Sequence, residues 1–462
     1  MPKLHPMPTP IKPDFLAHLH RHWPPERLFT DKSDCYAYAY DNSRRVALPE
    51  AVVMATSDEE VQQLVQLCRQ HRVPLTVRGR GTNTTGASVP VRGGVVLSLE
   101  RMNKILRFSP ADRLIEVEAG CLNSAVQKIA ASAGLFWPPD PTSAGFSSIG
   151  GNIACGSGGP KAVKYGTARD HLLGLSAVAG TGDWLHVGAN TTKCVVGYDF
   201  TRLLCGSEGT LAVITRATLK LSPLPEGIAT LAATFATEDQ AVHAVARVMQ
   251  AHTPRVLEFF DEQAVALAQA ERDCGLTGAG ALLLIEVDGL GLDQQIEALK
   301  TTLGMEASVR VAQNPAEADN LWAARKALSP ALRKLAPKKV NEDVAVPVSR
   351  LPELLAGIKG IARSSGLRIV CFGHAGNGNL HVNILANPDD PAQMQAIDSA
   401  LSQVFKLTLG LGGTISGEHG VGLVKREFVS LEVPAATLQM MRLVKQVFDP
   451  EGILNPDKTL PA

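Results

Sequence analysis

The sequence lacks the marks of a nucleic-acid binder, a membrane-spanning protein or a metal-cluster scaffold. Its 45 basic residues are matched by 45 acidic ones over 462 positions. No block of like charge extends far enough to form the electrostatic footprint of a protein that binds nucleic acid or an anionic membrane surface. The eight cysteines, Cys35, Cys68, Cys121, Cys155, Cys194, Cys205, Cys274 and Cys371, include no C-x-x-C pair, which removes the usual iron–sulfur and zinc-knuckle patterns. No apolar run of secretory type is present either, so these cysteines read as small buried apolar residues in a reducing compartment. A cytoplasmic location is expected, with peripheral attachment to the inner face of a membrane as its variant. Membrane-spanning runs, internal repeats and low-complexity tracts are also missing. The proline-bearing residues Met1 to Pro13 read as a loose arm rather than a targeting segment.

What is present is glycine at strand ends and histidine beside glycine. Arg78-Gly79-Arg80-Gly81-Thr82-Asn83-Thr84-Thr85-Gly86 follows a predicted strand, so its successive N–H groups can form an anion-binding nest suited to a diphosphate. Its spacing is neither that of a dinucleotide-binding G-x-G-x-x-G turn nor that of a phosphate-binding P-loop. A second glycine loop runs from Ile149 to Gly159 through Gly150, Gly151, Asn152, Gly156, Ser157 and Gly158, with so little side chain that a large flat group can lie on its backbone. A third, Gly206-Ser207-Glu208-Gly209-Thr210-Leu211, precedes another strand. Three such loops in one domain point to a large diphosphate cofactor.

The most informative pattern is Gly373-His374-Ala375-Gly376-Asn377-Gly378-Asn379-Leu380-His381 followed by Ser416-Gly417-Glu418-His419-Gly420. The runs Leu367–Phe372 and Val382–Leu385 predict two strands joined by a tight Gly/Asn turn, which places both imidazoles at the mouth of a hairpin. Met394, Ile397, Leu401, Val404 and Phe405 form one apolar helical face between hairpin and glutamate. Two His and a Glu make a mixed nitrogen/oxygen ligand set for a divalent metal with positions left open, and His419 stands beside the Glu as a candidate base. The same four residues could equally activate water in a metal-dependent hydrolase.

The chain is long enough for two or three domains. The segmentation expected is an N-terminal arm and helix over 1–47, a cofactor domain over 48–222, a cap with the metal site over 223–430, and a C-terminal segment over 431–462 that returns to the cofactor domain. From 230 to 311 a β-α-β-β-α-β order predicts an antiparallel sheet with helices on one face.

These motifs, in this order, together with Pro138-Pro139-Asp140-Pro141 and Gly452-Ile453-Leu454-Asn455-Pro456, resemble the FAD-linked oxidases of the vanillyl-alcohol oxidase type. The nearest branch is that of the D-2-hydroxyacid dehydrogenases, which takes in D-lactate dehydrogenases, D-2-hydroxyglutarate dehydrogenases and the flavin subunit of glycolate oxidase. The resemblance implies an α+β chain with a two-subdomain FAD-binding domain, an antiparallel-sheet cap and a C-terminal helical tail. It implies FAD contacts at Arg78, Gly79, Arg80, Gly81, Thr82, Asn83, Thr84, Gly86, Pro139, Asp140, Gly150, Gly151, Asn152, Gly156, Ser157, Gly158, Glu208, Gly209, Ile214 and Asn455. It also implies a zinc or manganese site at His374, His381 and Glu418, a base at His419, and Arg325 as the clamp for the substrate carboxylate. Asn377 stands where many relatives carry Asp. Asn341 seats itself where the 2-hydroxyglutarate enzymes carry a lysine, which leans the substrate towards a monocarboxylate such as D-lactate. The electron acceptor is not written in these residues: quinone, cytochrome c, an electron-transfer flavoprotein and a partner iron–sulfur subunit are all open to it, with a homodimer as the symmetric default.

Overall fold

The computed structural model describes residues 11–276 and 278–461 and divides them into two compact units. The first holds residues up to 158, 166–224 and 418 onward; the second holds 159–165 and 225–417. The second unit therefore closes at Gly417, not at 430, and takes in a short piece of the segment expected to belong to the cofactor domain. Most of the arm expected over Met1 to Pro13 lies outside the described residues. The first helix, Pro13–His22, buries Phe15 and Leu19.

Among the described residues the first unit is built on two larger sheets, with a short two-stranded ribbon of Leu135–Phe136 and Ser222–Pro223 beside them. A four-stranded sheet runs in the order Leu28–Phe29, Ala51–Met54, Val95–Ser98, Leu75–Arg78, with the last three strands parallel. The helix Asp58–His71 supplies the crossover. It starts because Ser57 caps the Glu60 N–H and ends where Arg72 turns left-handed, and its Val61, Leu64, Val65 and Cys68 enter the core. The second sheet is five-stranded and antiparallel, in the order Ile105–Ser109, Leu114–Glu118, Ala212–Lys220, Leu172–Ala179, Trp184–Gly188. After the helix Ala435–Phe448 the chain returns to Leu75: the Leu75 N–H donates to Ile453 O at 2.8 Å and the Asn455 N–H to Leu75 O at 2.8 Å.

The second unit is a seven-stranded antiparallel sheet in the order Ala307–Val311, Ile228–Phe235, Ala281–Asp288, Val256–Phe260, Arg368–Gly373, Asn379–Ala386, Lys338–Ala345. The expectation of helices on one face is corrected. Every residue of Ala281–Asp288 is buried, and a strand with no wet face must be covered on both sides. Helices Glu262–Glu271 and Pro315–Leu335 pack on Phe260, Leu282, Leu284, Val370 and Phe372. Helices Glu238–Ala251, Leu351–Ser365 and Pro391–Gly410 pack among themselves and on the sheet as well. Segment 159–165 joins this unit because Lys164 pairs with Asp288 and the Tyr165 hydroxyl donates to Asp288 Oδ2 at 2.6 Å.

One buried group makes this unit sensitive to pH. Asp261 caps the helix Glu262–Glu271 by accepting from the Ala264 N–H at 2.7 Å, and it also accepts from the Cys371 N–H. Burial pushes its carboxyl up to about 7 and Glu238 adds to the rise, against the two N–H groups. A carboxyl whose pKa is raised on folding contributes its full stability in acid and loses it as pH rises from the unfolded value of about 3.9 through the folded one. The Tm advantage of the wild type over Asp261→Asn should therefore shrink from about pH 5 to 8 in thermal scans, and an advantage that grows with pH would contradict it.

Candidate active site

Local chain geometry makes the histidine pair. Strands Arg368–Gly373 and Asn379–Ala386 pair with Phe372 opposite His381. The turn between them closes through Asn377 N–H to His374 O at 2.9 Å and Gly378 N–H to Ala375 O at 2.9 Å. Gly378 is obligatory there: its φ is +68°, and a Cβ would lie 1.9 Å from Val346 O. Both imidazoles are buried, with ring centroids 5.2 Å apart and near-perpendicular planes. The peptide leading to Glu418 is fixed on the same sheet, since the Gly417 N–H donates to Asp343 O at 3.3 Å and Asp343 pairs with His381 across the strands. One bond further on, Glu418 completes the group: the ligand atoms of His374, His381 and Glu418 lie within 4.8 Å of one another. Two nitrogens and a carboxylate at that spacing suit a divalent ion and leave positions open for a small ligand.

A fourth residue belongs with them, and the sequence reading missed it. Glu258 sits in the strand Val256–Phe260, which is buried throughout, and is 0% exposed. One of its oxygens meets His374 Nδ1; the other accepts from Arg325 Nε at 2.6 Å. Burial alone would raise the Glu258 carboxyl, but His374 and Arg325 outweigh it and hold the group well below the usual carboxylate range. Arg325 lies over the Phe372 ring, 4.8 Å from its centroid. Arg325 thus pairs across the fold and not with the acidic residues Glu317 or Asp319 of its own helix. Glu317 instead accepts from the Gln313 and Asn314 N–H groups at the helix start. The signal in the sequence was a lone carboxylate inside the apolar run Val256-Leu257-Glu258-Phe259-Phe260.

In the first unit the glycine loops take shape around close backbone approaches. A Cβ at Gly79 would fall 2.4 Å from Ser148 Oγ, and one at Gly150 would fall 2.6 Å from the Ala119 Cβ. Among the described residues the N–H groups from Arg80 to Thr84 meet no protein acceptor, the nest expected for an anion. The arginines themselves are otherwise engaged: Arg78 donates to Tyr40 O at 2.7 Å and Arg80 pairs with Glu100 at 2.8 Å. The second loop differs from the reading as open loop. Ile149–Cys155 is a helix, capped by Ser148 at the Gly151 N–H and ended by Gly156 at φ +67°. Gly150 and Gly151 lie in its first turn, so their lack of side chain serves packing as well as access. Asn152 bonds to Asn123 and Ser147, while Pro139 O accepts from Asn123 Nδ2 at 3.2 Å. Ile214 is buried in the strand Ala212–Lys220. Asp140, Thr82, Thr84 and Ser157 are half-buried, whereas Gly158 is buried.

The third loop orders the chain after Glu418. Glu208, buried at φ +52°, accepts from the N–H groups of Val421 at 3.0 Å and Gly422 at 2.8 Å and from Thr459 Oγ1 at 2.6 Å. Gly209 follows it at φ +71°. Asn455 Nδ2 donates to Glu208 O at 2.6 Å and Ala87 O at 2.8 Å. Asn83 accepts from the Thr85 and Ala87 N–H groups and reaches His419 O at 3.4 Å. Gly86, at φ +84°, lets the loop close against Leu423. Glu208, Asn83 and Asn455 thus hold backbone, including that of His419, with their side chains.

The first two glycine loops lie inside a segment that matches a known domain family. Residues 49–188 match the FAD binding domain family, and residues 224–459 match the C-terminal domain family of FAD linked oxidases. The chain belongs to the FAD-linked oxidases. The glycolate oxidase subunit GlcD of Bacillus subtilis is 37% identical to this oxidoreductase over 441 residues, covering 94% of each chain. The D-lactate dehydrogenase of Anaerostipes hadrus is 34% identical over 89% of this chain and 90% of its own. The D-2-hydroxyglutarate dehydrogenase of Stutzerimonas stutzeri is 32% identical over 95% and 97%. Among solved structures, p-cresol methylhydroxylase matches with a TM-score of 0.78 at 15% identity, over 98% of this chain and 99% of its own. A 4-ethylphenol oxidase from Gulosibacter chungangensis reaches 0.76 at 17% identity, over 99% of each. At such identities the likeness speaks to fold alone, which is that of the vanillyl-alcohol oxidase type. FAD fits the first unit: the unpartnered N–H row from Arg80 to Thr84 suits its diphosphate, and the glycine positions where a Cβ would clash let backbone come close.

Proposed function

We propose that this FAD-linked oxidase converts a D-2-hydroxy acid, D-lactate or a similar monocarboxylate, to its 2-oxo acid. The observation that carries the reading is the convergence of His374, His381 and Glu418, with Arg325 joined to His374 through Glu258. The curated relatives with these names act on glycolate, D-lactate and D-2-hydroxyglutarate, and all three share a hydroxyl beside a carboxylate. A hydrolytic use of the same residues would leave the FAD-binding domain without a role.

When bound, FAD supplies the acceptor for the hydride that leaves C2. A zinc or manganese ion on His374, His381 and Glu418 would supply positive charge that lowers the pKa of the substrate hydroxyl. The protein's residues do the rest. His419 takes the hydroxyl proton at an imidazole nitrogen as the carbonyl develops. Arg325, its Nε held by Glu258, offers its Nη groups to the carboxylate in a planar fork that lysine cannot reproduce. Asn341 lies on the same sheet face as His381, two residues before Asp343, and brings no charge. Lys339 instead reaches Ser329 Oγ at 2.8 Å. Asparagine at 341 offers no charge to pair a second substrate carboxylate, which disfavours 2-hydroxyglutarate. Quinone, cytochrome c or an electron-transfer flavoprotein would serve as the final electron acceptor.

The test is anaerobic stopped-flow reduction of the bound flavin by D-lactate, L-lactate, glycolate and D-2-hydroxyglutarate. D-Lactate should bleach it about tenfold or more faster than L-lactate and D-2-hydroxyglutarate. A preference for glycolate or for D-2-hydroxyglutarate would move the protein to one of those activities, and bleaching by none of the four would end the reading.

A further inference from the structure

Glu258 stands 116 residues before His374 and 67 before Arg325, yet each of its two oxygens meets one of them. We propose that Glu258 is the positioning residue of the site, a single carboxylate that fixes the tautomer of a metal-ligand histidine and the orientation of the substrate-binding arginine together. This deepens the function proposed above and rests on it.

The argument is one of donors and acceptors. An ionised carboxylate only accepts, so both partners must arrive as donors. His374 then carries its proton on Nδ1, and Nε2 keeps the lone pair that a metal requires. Arg325 donates through Nε, which leaves the outer edge of the fork, its two Nη groups, as the part that can face a carboxylate. The Phe372 ring, 4.8 Å from the guanidinium carbon, sets the plane of that fork. Neither partner can turn without leaving the Glu258 carboxylate buried and half-paired in a strand that is closed to water. Metal affinity and carboxylate recognition are therefore linked through one side chain, although neither ligand touches it.

A glutamine at this position keeps the shape and breaks the logic. It presents one acceptor and one amide donor to two donors, so either His374 moves its proton to Nε2 and loses its ligand atom, or Arg325 loses its anchor. In FAD-loaded Glu258→Gln protein, affinity for zinc and manganese ions, measured by competition with a chromophoric chelator, should fall about 10–100-fold. The KM for D-lactate should rise, and the FAD absorbance should stay.

Histidine-labelled nitrogen NMR of the metal-free wild type, with His374→Gln used for assignment, should show His374 as the Nδ1–H tautomer. An Nε2–H tautomer in the wild type, or undiminished metal affinity in Glu258→Gln, would overturn the proposal. Should the variant fail to fold, the wild-type spectrum decides alone. A wild type that binds no metal also overturns it. Failure of the parent reading shows elsewhere, as a wild-type flavin that no 2-hydroxy acid reduces, and it leaves the tautomer and the metal affinity as independent readouts.

Discussion

If the proposed function holds, a chelator that strips a divalent ion from His374, His381 and Glu418 should slow flavin reduction by D-lactate about 10²–10³-fold, the effect of losing several kcal/mol of charge stabilisation, and adding zinc or manganese back should restore it. A secondary alcohol gives up its proton reluctantly in water, and the oxygen bears growing negative charge as the C–H bond breaks. His374, His381 and Glu418 place the ligand atoms within 4.8 Å of one another, close enough to hold one ion whose charge meets that oxygen. His381→Ala should behave like the chelated protein but without rescue, because two of three ligands do not hold the ion against a chelator. Flavin absorbance should persist in both cases, since the glycine loops of the first unit contribute no ligand. Full-speed reduction in metal-free protein would remove the ion from the mechanism.

His419→Ala should slow single-turnover flavin reduction about 10²–10⁴-fold, the usual value of a positioned general base. Its backbone is held independently of the imidazole, whose Nε2 lies 3.9 Å from Glu418 Oε1. Asn83 reaches the His419 carbonyl, and Glu208 takes the N–H groups of Val421 and Gly422. Gly420 permits that approach, because a Cβ there would lie 2.2 Å from Glu208 Oε1. Removing the imidazole should therefore leave the loop and the FAD content in place. Stopped-flow traces under anaerobic conditions, with flavin content measured in the same sample, provide the check. An unchanged rate would strip His419 of its role as base.

The parts of the site legible in the sequence are those whose geometry is local. A Gly/Asn turn between two β-branched strands places His374 near His381 whatever surrounds it, and the apolar face of the helix Pro391–Gly410 is visible from its spacing. The glycine loops likewise announce backbone that must be approached closely. Other readings failed where burial competes with propensity. Ile149–Cys155 reads as loop from its glycines, yet a serine cap and a left-handed glycine end make it a helix against Ala119. The second unit reads as a sheet with helices on one side, but the strand Ala281–Asp288 has no polar face to leave in water.

The sequence by itself determined which candidate ligands and glycine turns lie close together, because ligand type, glycine placement and turn chemistry are written within a few residues of one another. Only the tertiary structure decided how they are held. The antiparallel pairing that brings Glu258 between His374 and Arg325 joins strands and a helix far apart in the chain. The same is true of Asp288, which draws Lys164 and Tyr165 into the second unit. A buried carboxylate chooses its partners by which donors the fold leaves beside it out of water, and no local pattern states that choice.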